Sequence, residues 1–342
     1  MGRAQEVFER LQNSPHFAED ELGLFHGRFL FIDREEIEGK CIARFGQPSD
    51  AKTDRPHRYV LVATQVIEQS LDLDFDLMIS DLAPVDLLLQ RSGRLHRHED
   101  RTNRPAQLTE PTLWLIAPEI DEKGKTDFGD SGFIYDRHVL LRTWLALRDR
   151  TTISLPSSMD ALIEAAYNLD SLPSESLEPI HVEDWQNSLT QHRQDQSAYR
   201  SLAQKVYLPS ARGKHKPCDF TRGNEEDDDN TIMAVTRLGE QSVTTIFVQR
   251  TRAGLILPIS QQAIDLNKSP DLETVRALLE HSARISKKRL VEEIIKLKKL
   301  DTWTSALLKH CRCVELDATG KAQIGKWELS LDPQRGIVIN SA

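Results

Sequence analysis

The sequence predicts an α/β fold in which helices pack on a mostly parallel sheet. In residues 1–120, apolar residues at helical spacing alternate with short β-branched runs, which is typical of helices that cover a parallel sheet. The runs "YVLVA" (59–63), "LMISD" (77–81) and "TLWLIA" (112–117) are continuously apolar, as expected of strands buried on both faces. Such a unit normally opens with a strand, whereas this chain opens in a helix. We therefore expect that a strand is missing before residue 1.

Two helices are predicted before the first of these strands. The second begins at Asp33, with Glu36 completing a capping box, and ends near Gly46. The first helix has one apolar face, formed by Ala4, Val7, Phe8 and Leu11.

The rest of the chain divides at changes in composition. We predict an α/β domain at 1–120, a helical linker with a charged loop at 121–230, and a smaller α+β domain at 231–342. In the last domain, Ser269 is predicted to cap a helix pair that reaches about residue 300, and "WELSL" and "GIVIN" form a closing hairpin. The linker's helical stripe is made by Met159, Leu162, Ile163, Ala166 and Tyr167.

Composition limits the possible functions. The chain has 342 residues and a net charge of −9, which argues against indiscriminate binding of nucleic acid by the whole surface. It contains no apolar run long enough to span a bilayer and no signal-peptide pattern, so the cytoplasm is the expected location. The four cysteines have no metal-ligand spacing, and no metal site is predicted.

A cluster of arginines follows three leucines in "LLLQRSGRLHRHED" (87–100). If a helix capped by Asp86 runs through this stretch, Gln90, Arg94 and Arg97 stand at i, i+4 and i+7 and share one face. Arginine suits phosphate because it is always charged and presents paired donors. The alternative is a solvated helix face with surface ion pairs to Glu99 and Asp100.

Polar residues follow the preceding predicted strand. Thr64 and Gln65 come directly after "YVLVA", and Asp72 lies in the acidic stretch "DLDFD" before the next strand. In open parallel sheets, ligands bind outside the carboxyl ends of the strands. This arrangement favours a binding function for the arginine cluster.

These stretches resemble a known family. "VATQVIEQSLDLD" and "QRSGRLHR" are similar to motifs V and VI of superfamily 2 helicases, and "LFHGRF" (24–29) is similar to the segment after motif IV. The stretches "DLAPVDLLLQRSGRLHRH" and "FIYDRHVLLRTWLAL" resemble the corresponding sequences of the CRISPR-associated helicase-nucleases of type I systems. The first of these stretches argues against a general superfamily 2 repair helicase. The resemblance implies a second RecA-like lobe of a P-loop NTPase, a helical linker and a C-terminal accessory domain.

The resemblance also implies residue roles. Arg94 and Arg97 match the motif VI arginines that reach the γ-phosphate of ATP, and Gln90 matches the residue that orients that phosphate or its attacking water. Asp72 matches the motif V carboxylate that touches the ribose or couples the lobes. Three residues match or lie near contacts to single-stranded DNA: Thr64, Gln65 and Arg28. The family translocates 3′ to 5′ and is recruited by an RNA-guided surveillance complex.

Half of the expected machinery is not found in the sequence. The "GKT" at 124–126 lacks the preceding glycine of a phosphate loop, no "DExH" box follows a strand, and no histidine precedes an aspartate as in an HD nuclease. ATP and Mg²⁺ are therefore expected to be held mainly by a first lobe outside this chain, and the isolated chain is expected to be inactive. The alternative is a separately expressed, non-catalytic module that binds DNA or docks on the surveillance complex.

Overall fold

The computed structural model describes residues 2–47, 54–68, 71–169, 177–205 and 242–341. Its helices are α1 (Gly2–Gln12), α2 (Phe31–Phe45), α3 (Val85–Ser92), α4 (Ser131–Ile134), α5 (Arg137–Leu147), α6 (Met159–Tyr167), α7 (Val182–Lys205), α8 (Leu272–Glu280) and α9 (Lys288–Ile295). Its strands are β1 (Leu22–Phe25), β2 (Val60–Ala63), β3 (Leu77–Asp81), β4 (Thr112–Ile116), β5 (Glu119–Ile120), β6 (Thr126–Asp127), β7 (Val243–Thr251), β8 (Gly254–Ile256), β9 (Ala263–Ile264), β10 (Ser282–Ile285), β11 (Arg312–Leu316), β12 (Lys321–Ile324), β13 (Trp327–Asp332) and β14 (Gly336–Ser341). The mixture of helices and strands confirms the predicted α/β class.

The chain forms two compact units. The first contains Met1–Met78, Gln90–Leu113 and Glu240–Ala342, and the second contains Ile79–Leu89 and Trp114–Gly239. The division runs through β3 and β4, which pair with each other. The domain boundaries at 120 and 230 stay predictions.

In the first unit, β1 and β2 are parallel neighbours. Leu22 pairs with Val60, and Phe25 pairs with Ala63. The apolar face of α1 buries Phe8 against this pair, in a cluster with Leu22, Leu24 and Phe29. Since the two strands are parallel, their carboxyl ends lie at the same edge.

The C-terminal part of the first unit contains two further sheets. One has the order β10-β7-β8-β9, with β11 added parallel to β7, and the other is the antiparallel sheet β12-β13-β14. Their shared core includes Leu30, Trp327 and Ile337. The amide of Ile337 donates to the carbonyl of Arg28 at 2.9 Å, which joins the turn after β1 to the start of β14.

Gly336 is required at this junction. Its φ of +64° favours glycine, and a Cβ would lie only 2.8 Å from the carbonyl oxygen of Arg28. A side chain at this position would therefore push the β13–β14 hairpin away from the turn.

The second unit has a helical core. Leu140, Leu141 and Leu145 of α5 are fully or almost fully buried, and they pack with Leu162 of α6 and Trp185 of α7. The carboxylate of Asp136 accepts a hydrogen bond from the amide of Val139 and caps α5. Leu162 and Ala166 of the predicted stripe are buried, which confirms α6.

Several sequence predictions are corrected by the structure. Helix α2 begins at Phe31 with Leu30 at its N-cap, so Asp33 and Glu36 form no capping box there, although the predicted end near Gly46 is confirmed. Helix α8 is capped by Asp271 rather than Ser269, because the Asp271 carboxylate accepts from the amide of Thr274 at 2.8 Å.

The strands β3 and β4 are confirmed, but they are not buried on both faces. Ile79 and Trp114 expose 61% and 59% of their surface, because these strands lie in a two-stranded sheet. The predicted helix pair that reaches about residue 300 is interrupted by β10, and its second helix, α9, ends at Ile295. The charged loop at 211–230 and the strand "TIMAVT" (231–236) lie outside the described residues.

Among the described helices, none combines the length and apolar character that crossing a membrane requires.

Candidate functional site

The candidate site begins at the carboxyl edge of β1 and β2. The amide of Thr64 donates to the carbonyl of Phe25 at 3.1 Å, which sets the end of β2 against the end of β1. Gln65 opens a short 3₁₀ turn after Thr64, and Arg28 lies in the turn after β1. The structure thus brings all three residues predicted to contact DNA to one edge, each of them partly exposed.

The arginine cluster does not lie on one helix. Helix α3 spans Val85–Ser92, so Gln90 is helical whereas Arg94 and Arg97 follow its end, and the predicted i, i+4, i+7 row is wrong. The reason is a bridge between Phe75 and Leu95: the amide of Phe75 donates to the carbonyl of Arg94 at 2.8 Å. The helix therefore ends in a turn at Gly93 and Arg94.

The start of α3 also differs from the prediction. The helix begins at Val85, directly after Pro84, so Asp86 lies in its first turn and is not a cap. The carboxylate of Asp86 instead accepts a hydrogen bond from the hydroxyl of Tyr167 at 2.6 Å.

Arg97 lies against the carboxylate that was predicted to share its site. Its Nε atom is 2.5 Å from the Oδ1 atom of Asp72, and its Nη1 atom donates to the carbonyl of Gly93 at 3.2 Å. His98 approaches the same Oδ1 atom at 3.2 Å. The hydrogen bond from Arg97 is the largest cause that lowers the pKa of Asp72, and His98 lowers it further.

Arg94 is only partly satisfied. Its Nη2 atom donates to the carbonyl of Glu68 at 3.2 Å, while its buried Nε atom has no hydrogen-bond partner among the described residues. Burial lowers the pKa of Arg94, and the positive charge of Arg97 adds to this effect. A half-buried guanidinium with an unused donor can accept an anionic ligand.

The third arginine of the cluster has a different environment. The Nη2 atom of Arg91 lies 2.6 Å from the Oε1 atom of Glu68, and the two side chains expose only 14% and 7% of their surface. This ion pair fastens α3 to the turn after β2. Gln90 is exposed on α3, on the same segment as the arginines.

A buried cluster of charges holds the chain after α3 in place. Asp74 is fully buried, and its carboxylate accepts hydrogen bonds from the amide of Arg97 at 2.7 Å and from the side chains of Arg101 and Arg104 at 3.2 and 3.0 Å. Asp76 accepts from the same two arginines. The acidic character of "DLDFD" is visible in the sequence, but the role of Asp74 is not, because its partners lie 23 to 30 residues away.

The site can bind an anion, but its carboxylates do not suit a divalent cation. In the parts of the chain that the structure describes, no group of three histidine, cysteine or acidic side chains could hold a metal ion. Asp72, Asp74 and Asp76 are already paired with arginines. The donors of Arg94 and Arg97 suit an anionic ligand.

Comparisons with known proteins match both ends of the chain. A family profile described as CRISPR-associated nuclease/helicase Cas3, C-terminal, matches residues 1–100, and one described as Cas3 C-terminal domain matches residues 237–337. The CRISPR-associated endonuclease/helicase Cas3 of Thermus thermophilus is 36% identical over 92% of this chain and 34% of its own length. That of Escherichia coli is 32% identical over 85% of this chain and 30% of its own length.

Solved structures agree with these relatives. The crystal structure of T. fusca Cas3 has a TM-score of 0.78 at 27% identity and covers 98% of this chain and 38% of that one. A structure described as a CRISPR RNA-guided surveillance complex, pre-nicking, contains a chain with a TM-score of 0.75 at 28% identity, matched over 98% of this chain and 39% of that one. The chain thus spans about a third of the length of the relatives that it matches.

Proposed function

The chain belongs to the CRISPR-associated nuclease/helicase Cas3 family and matches the C-terminal part of its members, and from this premise we propose that it acts in ATP-driven translocation on single-stranded DNA. It forms the second RecA-like lobe, a linker and an accessory domain of that motor. The first lobe, with its phosphate loop and Mg²⁺ ligands, and the HD nuclease are supplied from outside the residues described above.

One observation carries this proposal. The guanidinium of Arg94 is half-buried and keeps its Nε donor unpaired, next to the exposed Arg97. An unpaired buried donor costs free energy unless a ligand satisfies it. A γ-phosphate supplies both the negative charge and the acceptor oxygens that this pair lacks.

Arg97 binds the same phosphate by leaving its ion pair with Asp72. Its ion pair with Asp72 is exposed on both sides, at 41% and 49%, so the pair contributes at most about 1 kcal/mol. Arg97 can therefore leave Asp72 at little cost when a phosphate arrives. Asp72 is then free to accept a hydrogen bond from the ribose, and Gln90 orients the phosphate or the water that attacks it.

The edge formed by Thr64, Gln65 and Arg28 holds the DNA strand. These residues follow β1 and β2, whose ends are fixed by the Thr64–Phe25 hydrogen bond. Backbone amides and hydroxyls at such an edge contact phosphates without reading base sequence, as a motor that passes along any strand requires. We assign the 3′ to 5′ direction from the motif resemblance alone. We assign an RNA-guided surveillance complex as the recruiting partner because a similar chain occurs in a structure described as such a complex.

ATP turnover tests the proposal. The chain is assayed with single-stranded DNA, alone and together with the N-terminal two thirds of the Thermus thermophilus relative or the first lobe from its own genome. We expect background hydrolysis from the chain alone and DNA-stimulated hydrolysis from the mixture. DNA-stimulated turnover by the chain alone, or none in either mixture, would contradict the proposal.

A further inference from the structure

Two lysines flank a buried tryptophan in the C-terminal part of the first unit. The Nζ atom of Lys287 lies 4.1 Å from the centre of the Trp327 ring, and that of Lys326 lies 5.3 Å from it. Trp327 is only 7% exposed, whereas both lysines are exposed. The ring therefore positions two ammonium groups at the surface in fixed places.

Arg28 belongs to the same patch. Its carbonyl oxygen is bonded to the amide of Ile337, and Gly336 leaves room for the turn that carries it. Its side chain is half-buried and makes no hydrogen bond or ion pair with a described residue. The patch thus unites the turn after β1, the residue before α9 and the turn before β13.

Among the described residues, Lys287 has no carboxylate that offsets its charge. Burial lowers the pKa of Lys287, and the positive charges of Arg28 and Lys326 lower it further, with no acidic group acting in the other direction. Holding like charges together costs free energy, which the face of one indole offsets only in part. In a chain whose net charge is −9, such a concentration of positive charge points to an anionic ligand.

The neighbouring lysines differ in this respect. Lys296 is paired with Glu293 at 2.8 Å, and Lys298 is paired with Asp301 at 3.2 Å. The basic stretch "RISKKRLVEEIIKLKK" (284–299) is therefore not uniformly available to a ligand. Lys287 is the member of this stretch that the fold directs toward Trp327 and Arg28.

We propose that Arg28, Lys287 and Lys326 form a binding site for the phosphodiester groups of a single-stranded nucleic acid. The three cations come from separate segments, with both lysines exposed and Arg28 half-buried, which suits successive phosphates of a strand better than one enclosed phosphate. Arg28 lies at the edge that also carries Thr64, so the strand continues from that edge onto the C-terminal sheets. This inference deepens the proposed function by extending its DNA path, and it rests on that function only for the identity of the polyanion.

Equilibrium binding of a fluorescein-labelled thymidine oligonucleotide to the full chain, without nucleotide, tests the site. We expect the double substitution Lys287→Gln, Lys326→Gln to weaken binding at least tenfold. It should also reduce the slope of log K against log salt by about 1.4, because each lost phosphate contact contributes about 0.7 on single strands. The control Lys296→Gln, Lys298→Gln removes the same amount of charge from the stretch after α9 and should change the affinity less than twofold.

Two further measurements separate the possible causes. Lys287→Arg, Lys326→Arg keeps the charge and should bind within twofold of the wild type, which shows that a loss in the glutamine variant is not a folding defect. Equal losses in the glutamine variant and its control would overturn the site, as would displacement of the oligonucleotide by millimolar inorganic phosphate at constant ionic strength. This binding is measured without nucleotide and without the first lobe, so failure here and failure of the ATPase proposal are distinguishable.

Discussion

The Nε atom of Arg97 lies 2.5 Å from the Oδ1 atom of Asp72. These residues come from the two segments that resemble motifs V and VI, and both were predicted to reach a nucleotide. In the structure the two side chains form an ion pair with each other. A ligand phosphate must therefore compete with Asp72 for Arg97, and the strength of this pair determines how readily the site responds.

Removing the charge of Asp72 should have little effect on stability. The ion pair is exposed on both sides, so we expect Asp72→Asn to change the free energy of unfolding by less than about 1 kcal/mol. Urea unfolding at pH 7 measures this change. A loss of more than 2 kcal/mol, on the same order as a buried pair, would show that the pair is structural and that Arg97 is not available for exchange.

Asp74 should be far more sensitive. It is fully buried and joined to Arg101, Arg104 and the amide of Arg97, so Asp74→Asn leaves buried positive charge uncompensated. We expect a destabilisation of about 3–5 kcal/mol. The matched control is Asp76→Asn, whose side chain is 21% exposed and which should cost less. Equal costs for the two variants would contradict the central place given to Asp74.

Acid should also reduce the contribution of Asp74 to the free energy of unfolding. Burial alone would raise its pKa, but the hydrogen bonds from Arg104 and Arg101 outweigh burial and lower it. A carboxyl with a lowered folded-state pKa adds stability above its unfolded pKa of about 3.9, and this stability is lost as the pH falls further. Urea midpoints measured from pH 5 down to pH 3 should therefore fall more steeply for the wild type than for Asp74→Asn. Parallel profiles would argue against this ionised contact.

His138 should make the second unit sensitive to mild acid. It is 1% exposed, its Nδ1 atom lies 2.8 Å from the Ser188 hydroxyl, and burial lowers its pKa to about 4. Between the unfolded value of about 6.5 and pH 4, the unfolded chain binds a proton that the folded chain does not. Stability should fall by about 1.4 kcal/mol per pH unit over this range. His138→Gln should flatten the profile, and an unchanged slope would show that another group is responsible.

The long apolar runs made much of the fold predictable. β2, β3 and β4 lie where continuous apolar stretches place them, and the final hairpin forms around the turn at Asp332 to Gly336. β1 was not predicted, because "LGLF" is four residues long and contains a glycine. The end of α3 was missed because a bridge to Phe75, about twenty residues away in sequence, overrides the local helical pattern.

The candidate site was predictable in its members but not in its contacts. Motif resemblance selected Asp72, Arg94 and Arg97, and the fold brings Asp72 and Arg97 into contact. Which arginine is structural could not be read from spacing. Arg91 forms an ion pair with Glu68. This pairing depends on the tertiary position of Glu68, which the sequence does not show. Lys287 and Arg28 lie more than 200 residues apart in sequence, so no local pattern could have brought them together.

Single-turnover hydrolysis of ATP by Arg94→Ala, in the presence of DNA and the first helicase lobe, tests the central claim most directly. Arg94 is proposed to compensate charge that develops on the γ-phosphate, so we expect the rate to fall by about 10³-fold or more. Folding should be retained, because the Arg94 side chain makes a single hydrogen bond among the described residues, to the carbonyl of Glu68. Arg276→Ala, at an exposed position of α8, should match the wild type. A rate for Arg94→Ala within tenfold of the wild type would contradict the account.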